Sequence, residues 1–175
     1  MLGTLLYAQD YDEHLPPRFY GFIPVPFTPG PSIWEDLIQP YVKDLRIINC
    51  PSDQKMIYGY NHDYMAYRSI AEFKCDAEVV MLSDVKQCYT RGYVLYYPQL
   101  IRKPSTIGGG ISPEKPRNDE NAFPENGDPD TEWVRPRGIH NAGAVVGFLD
   151  GHVKWMKTDN FFYSQNPPDK YFDLQ

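Results

Sequence analysis

The chain has 175 residues and a formal net charge of −6, a size that suits one domain with a sizeable core. No Lys/Arg cluster interleaved with aromatics relieves the acidic balance, which excludes the electrostatic footprint of a nucleic-acid binder; neither DNA nor RNA is expected as a partner. At 42% apolar, with 14 tyrosines, it can fill a core, while 17 prolines and 13 glycines scattered along it argue for irregular connections rather than a helical bundle.

Leu2, Leu5, Leu6 and Gln9 fall at helical spacing between good helix formers, so residues 1–11 are expected to be helical, with Leu15-Pro16-Pro17 beyond the end. No N-cap residue or turn precedes Leu2, and the helix is expected to continue upstream of Met1. Residues 18–31, rich in proline and aromatics, predict an extended loop. Ser32 and Glu35 have the spacing of a capping box at the start of a short helix whose Trp34, Leu37 and Ile38 share one face and which ends at Pro40. Residues 45–49 predict an apolar strand leading into a turn at Cys50-Pro51-Ser52-Asp53. Residues 79–82 and 93–97 predict two further strands. Between Lys103 and Arg137 apolar periodicity vanishes, predicting a long loop or insertion.

Cys50, Cys75 and Cys88 lack C-x-x-C spacing, and any of three pairings, or none, is compatible with the sequence. No apolar run approaches the length of a membrane span, and no signal-peptide pattern occurs.

Asp150-Gly151 lies between two β-forming runs and predicts a two-residue type I′ hairpin turn. Pairing outward from it sets Leu149 opposite His152, Phe148 opposite Val153, Gly147 opposite Lys154 and Val146 opposite Trp155. Phe148, Val153, Val146 and Trp155 then share an apolar face, with His152 and Lys154 on the other. At about 3.3 Å per residue an extended strand would hold His140 roughly 30 Å from Asp150, too far to share a metal or a proton unless the chain doubles back at residues 141–143. His140 is therefore expected at a strand entry, and Asp150 and Gly151 at the turn.

These residues resemble bacterial prepilin-type proteins with an H-x9-D-G domain, relatives of type II secretion pseudopilins. The resemblance is carried by Leu6 to Glu13 with Leu15-Pro16-Pro17, by Cys50-Pro51-Ser52-Asp53 and Tyr58-Gly59-Tyr60-Asn61, and by the end signature Arg137 to Asn141 with Asp150 to Trp155. It implies an α+β, pilin-like fold: the end of a long N-terminal helix packed on a small antiparallel sheet, with long loops and a C-terminal β-hairpin. The whole chain, 1–175, would form one such domain, with 1–13 as the end of the helix, 103–137 as the long loop, 138–157 as the hairpin, and the membrane-helix region upstream.

The resemblance further implies a non-catalytic structural subunit of a pseudopilus or pilus-like assembly serving protein transport. Its partners would be other pilin-like subunits and secretion-apparatus proteins. It would be anchored in the inner membrane with the domain in the periplasm, or stand at the cell surface in a filament. The alternative is a cell-surface binding module whose aromatics or acidic loop recognise a polysaccharide or a secreted protein. Some relatives bind calcium, and Asp128 and Asp130 in the acidic stretch 119–132 are the candidate ligands, although EF-hand spacing is absent. No other cofactor is expected. No G-x-S-x-G, Walker, dinucleotide or H-E-x-x-H motif occurs, so no enzymatic activity is expected; a pocket gathering His62, Asp84 and His140 would reopen that question.

Overall fold

The computed structural model describes residues 1–17, 19–20, 32–52, 56–86, 100–101, 136, 138, 140–162, 165, 167 and 169–172. In chain order these form α1 (Leu2–Asp10), β1 (Phe19–Tyr20), β2 (Ser32–Ile33), α2 (Trp34–Val42), β3 (Met56–Asn61), α3 (His62–Met65), β4 (Val80–Lys86), β5 (Leu100–Ile101), β6 (Gly143–Phe148) and β7 (Val153–Lys157). Of the loop expected at 18–31 only Phe19 and Tyr20 are described, and they form a strand; the rest of it, the strand at 93–97, Cys88 and, apart from Pro136, the loop at 103–137 with Asp128 and Asp130 lie outside the described residues.

The fold is α+β. Its main sheet runs β5-β3-β4-β6-β7, and in the run β3-β4-β6-β7 each strand is antiparallel to its neighbours. The short β5 joins β3 in parallel, so the sheet is not wholly antiparallel as expected; β1 and β2 pair separately. Between Val80 and Leu82 the β4–β6 register slips by one residue, a bulge that leaves Met81 as the extra residue on β4.

Side-chain alternation divides the core between the two faces of the sheet. Tyr60 and Leu82 pack with Tyr7, Ala8, Trp34 and Ile38 of the helices and with Leu15. On the other face Val85, Ala144, Val146 and Phe148 meet Phe161, Phe162 and Phe172. Within the Phe cluster, Phe162 and Phe172 meet edge to face, their centroids 5.6 Å apart.

Three expectations for the helices change. The buried side of α1 is Gly3, Thr4, Tyr7 and Ala8, not the leucine row, and Leu2 is 70% exposed. Gly3 explains the choice: a Cβ there would stand 2.4 Å from Val42 Cγ1, so its absence lets α2 approach closely. Tyr7 and Tyr41 meet edge to face across this contact, and the Tyr41 hydroxyl donates to Asp10 Oδ2 at 2.9 Å. Second, α2 begins at Trp34, with Ser32 already paired in β2, so Ser32 is not the residue that opens it. Third, Pro40 lies inside α2, and the helix runs on to Val42 before Lys43 takes a left-handed conformation, its N–H donating to Gln39 O. Trp34 and Ile38 are buried and Leu37 partly so, as their shared spacing implies.

Residues 45–48 form a 3-10 helix instead of a strand, because Asp44 accepts the Arg46 N–H and nucleates a tight turn. The chain then turns at Pro51 and Ser52, just after Cys50.

The hairpin register also differs from expectation by one residue: Gly147 faces Val153, Val146 faces Lys154 and Val145 faces Trp155. Phe148 N–H donates to His152 O and Gly151 N–H to Phe148 O, closing a three-residue loop of Leu149, Asp150 and Gly151, with Gly151 at φ 97°. Asp-Gly serves this bulged loop as well as a type I′ turn, because each needs glycine at a positive φ. One residue of slip exchanges faces. Val153 and Trp155 therefore leave the face of Val146 and Phe148 and stand 59% and 46% exposed on the edge strand.

Candidate functional site

Three segments far apart in sequence meet on the helix-side face of the sheet. Cys50 follows the 3-10 helix. Asp84 lies in the central strand β4 opposite Tyr58. His140 precedes β6. Their sulfur, carboxylate oxygen and imidazole nitrogen all lie within 4.8 Å of one another, and Cys50 and Asp84 are buried while His140 is partly so. Among the described residues this is the one such grouping of three metal-ligating side chains.

His140 reaches the cluster through the reversal that the sequence left open. Asn141 and Ala142 both have left-handed φ values, 55° and 60°, and His140 and Gly143 exchange backbone hydrogen bonds across them. That is a two-residue hairpin turn of the I′ kind. Gly143 cannot carry a Cβ, which would stand 2.5 Å from the Trp155 ring and 2.6 Å from Met156 O. The same indole donates from Nε1 to the His140 carbonyl at 2.7 Å. Gly138 permits a second close approach, to the backbone of Ala142.

Asp84 is held where β4 changes neighbours. Ser83 pairs with Val146 and Val85 bridges to Pro136, and between them the Asp84 Oδ2 accepts the Val145 N–H at 2.7 Å. Its Oδ1 is buried and has no hydrogen-bond partner among the described residues. Burial pushes the carboxyl above the ordinary aspartate range, opposed by the Val145 N–H and then by His140. Burial, followed by the charges of Asp84 and Cys50, likewise raises the facing Tyr58 hydroxyl.

Both Cys50 Sγ, at 3.6 Å, and Asp84 Oδ2, at 3.8 Å, face the same atom, His140 Nε2. A thiol–imidazole–carboxylate relay uses the two ring nitrogens separately, one for the nucleophile and one for the carboxylate. Here three different donor atoms converge on one small volume, and 3.8 Å is too long for a hydrogen bond.

The other sequence candidates lie elsewhere. Asp150 Oδ1 accepts the His152 N–H at 3.0 Å and meets His152 Nδ1 at 2.6 Å, while the His152 ring stacks on Phe148. Gly151 completes that loop. All of β6 separates Asp150 from His140. His62 stands four residues beyond Tyr58, so about 13 Å along the strand direction separates it from Asp84. Asp84 and His140 do meet, but their third member is Cys50, read from the sequence only as a turn entry or a disulfide candidate; Cys50 and Cys75 are free thiols.

Two pairs of the segments that carried the resemblance meet in space, 15–17 with 58–61 and 50–53 with 137–141. Leu15 is buried, and the Pro16 carbonyl accepts the Tyr60 hydroxyl at 3.1 Å. Asn61 Nδ2 donates to Val80 O at 2.9 Å, and Cys50 meets His140. Comparison with known proteins found no matching family model, curated protein or solved structure.

Proposed function

We propose that the chain is a non-catalytic structural subunit of a pseudopilus or pilus-like assembly related to type II secretion, its globular part carried on a pilin-like N-terminal helix longer than α1. The packing of α1 supports this reading. Its small residues and Tyr7 face α2 and the sheet and Leu5 packs against the core, while Leu2 stays exposed and Leu6 only half-buried. Leu2 and Leu6 on the outer side of such a helix suit contact with the helices of neighbouring subunits, where burying one leucine contributes roughly 1.5–3 kcal/mol. Among the described residues no helix is long and apolar enough to cross a membrane, so anchorage in the inner membrane rests on the resemblance.

The test is to express the complete open reading frame with and without a prepilin peptidase and to fractionate the cells. The reading expects cleavage, recovery with the inner membrane, and crosslinks between copies from cysteine placed at Leu2. An unprocessed, cytosolic full-length product overturns it.

A further inference from the structure

We propose that Cys50, Asp84 and His140 form a binding site for a single divalent cation of the zinc class, independent of the assembly reading above. Zinc bonds of about 2.3 Å to sulfur and about 2.0–2.1 Å to nitrogen and oxygen, at tetrahedral angles, place S and N about 3.5 Å apart and N and O about 3.4 Å apart. The protein sets Cys50 Sγ 3.6 Å and Asp84 Oδ2 3.8 Å from His140 Nε2. A cation at the centre would need shifts of only a few tenths of an ångström along those two edges.

The donor set fits the same class. A thiolate, an imidazole and one carboxylate suit zinc, whereas calcium and magnesium take oxygen-rich shells. Asp84 gives an independent indication of a ligand. It is completely buried, yet its Oδ1 has no hydrogen-bond partner among the described residues. Native folds rarely leave a buried carboxylate oxygen in that condition, and a cation held through both carboxylate oxygens would satisfy it while Oδ2 keeps the Val145 N–H.

The donors are also oriented from behind. The Val145 N–H fixes Asp84 through Oδ2, and the Asn141-Ala142 turn, braced by Trp155 on the His140 carbonyl, sets the path of the histidine. A hydrogen-bonded carboxylate of this kind is a regular support of metal centres. Three protein donors leave the fourth tetrahedral position to water or an exogenous ligand.

The test uses the full chain in a Cys75→Ser, Cys88→Ser background, stripped with chelator and titrated with Co²⁺ and then with Zn²⁺. We expect one equivalent of Co²⁺ to give tetrahedral d–d bands and a thiolate charge-transfer band that Zn²⁺ abolishes by displacement. Cys50→Ser should remove the charge-transfer band, and His140→Gln and Asp84→Asn should each weaken Zn²⁺ binding at least tenfold by calorimetry. Metal-free thermal unfolding of each variant shows that it folds; should Asp84→Asn not fold, the other two carry the test. No charge-transfer band in the background protein, or a band that survives Cys50→Ser, overturns the site. So does Zn²⁺ affinity unchanged in a folded His140→Gln.

Discussion

Replacing Gly143 by alanine tests how the His140 turn is held. The new Cβ would lie 2.5 Å from Trp155 Cε2 and Cζ2 and 2.6 Å from Met156 O, whereas carbon contacts relax at about 3.5–4.0 Å, so roughly 1 Å must open. The indole, 46% exposed, can swing outward, but doing so breaks its 2.7 Å bond to the His140 carbonyl, a loss of about 1 kcal/mol. The Met156 carbonyl sits in the β6–β7 ladder and cannot retreat alone. Overpacking of this kind costs about 1–3 kcal/mol. Alanine returns about 0.4–1 kcal/mol by restricting the unfolded chain.

The net expectation is a loss of about 1–3.6 kcal/mol, or, at about 2–4 °C per kcal/mol for a chain of this size, a fall in Tm of roughly 2–14 °C. Thermal and urea unfolding followed by circular dichroism would measure it. Pairing Gly143→Ala with Trp155→Ala removes the ring from the clash and leaves only the carbonyl, so the double variant should cost about 1 kcal/mol less than the sum of the singles. A Gly143→Ala variant within about 1 °C of the parent, against the roughly 2 °C minimum expected, or strictly additive energies in the cycle, would refute the close approach of Trp155 to this turn.

Two further perturbations probe the same corner. Ala142 holds φ 60° without a glycine, a conformation that costs an L residue about 1–2 kcal/mol, whereas glycine adds about 0.5–1 kcal/mol of unfolded-state entropy. Ala142→Gly should therefore be neutral to stabilising by up to about 1.5 kcal/mol in urea unfolding; a clear destabilisation would contradict the left-handed turn. Asp84 has its folded pKa raised above its unfolded value by burial, so its favourable contribution is present below the unfolded pKa near 3.8 and is lost as pH rises through the folded value. In metal-free protein the stability of Asp84→Asn relative to the parent should thus grow from acid toward neutral pH. A gap that is constant, or that shrinks as pH rises, would place the carboxylate in a solvated or strongly paired setting.

Local chemistry made much of the fold legible, and its limits have physical causes. Trp34 and Ile38 announced their buried face, Pro and Ser marked the turn after Cys50, and β-forming runs marked β4 and the hairpin. Leu45 to Ile48 misled because apolar character alone cannot choose between a strand and a 3-10 turn; the Asp44 side chain chose. The leucine row of α1 misled because helix approach was governed by the smallness of Gly3. Cys50, Asp84 and His140 could not be paired from spacing, since their meeting depends on strand order and on a turn made by Asn141 and Ala142. One signal was present: Asn141 favours positive φ, and a glycine follows Ala142, so a reversal at that point was readable.

The nine-residue interval between His140 and Asp150 acquires a physical meaning in this structure. Two turn residues, the six residues of β6 and Leu149 fill it. At the far end Asp150 fixes the loop through the His152 N–H, and at the near end Trp155, carried back by β7, grips the His140 carbonyl. Losing one residue from β6 would turn every following side chain to the opposite face, while losing two would preserve faces but displace His140 by about 7 Å along the strand. The Cys50 and Asp84 contacts, at 3.6 and 3.8 Å, tolerate neither. The interval is thus the ruler that delivers the His140 imidazole to Asp84, and Cys50 and His140, two of the three donors of the proposed cation site, lie in segments that carry the resemblance.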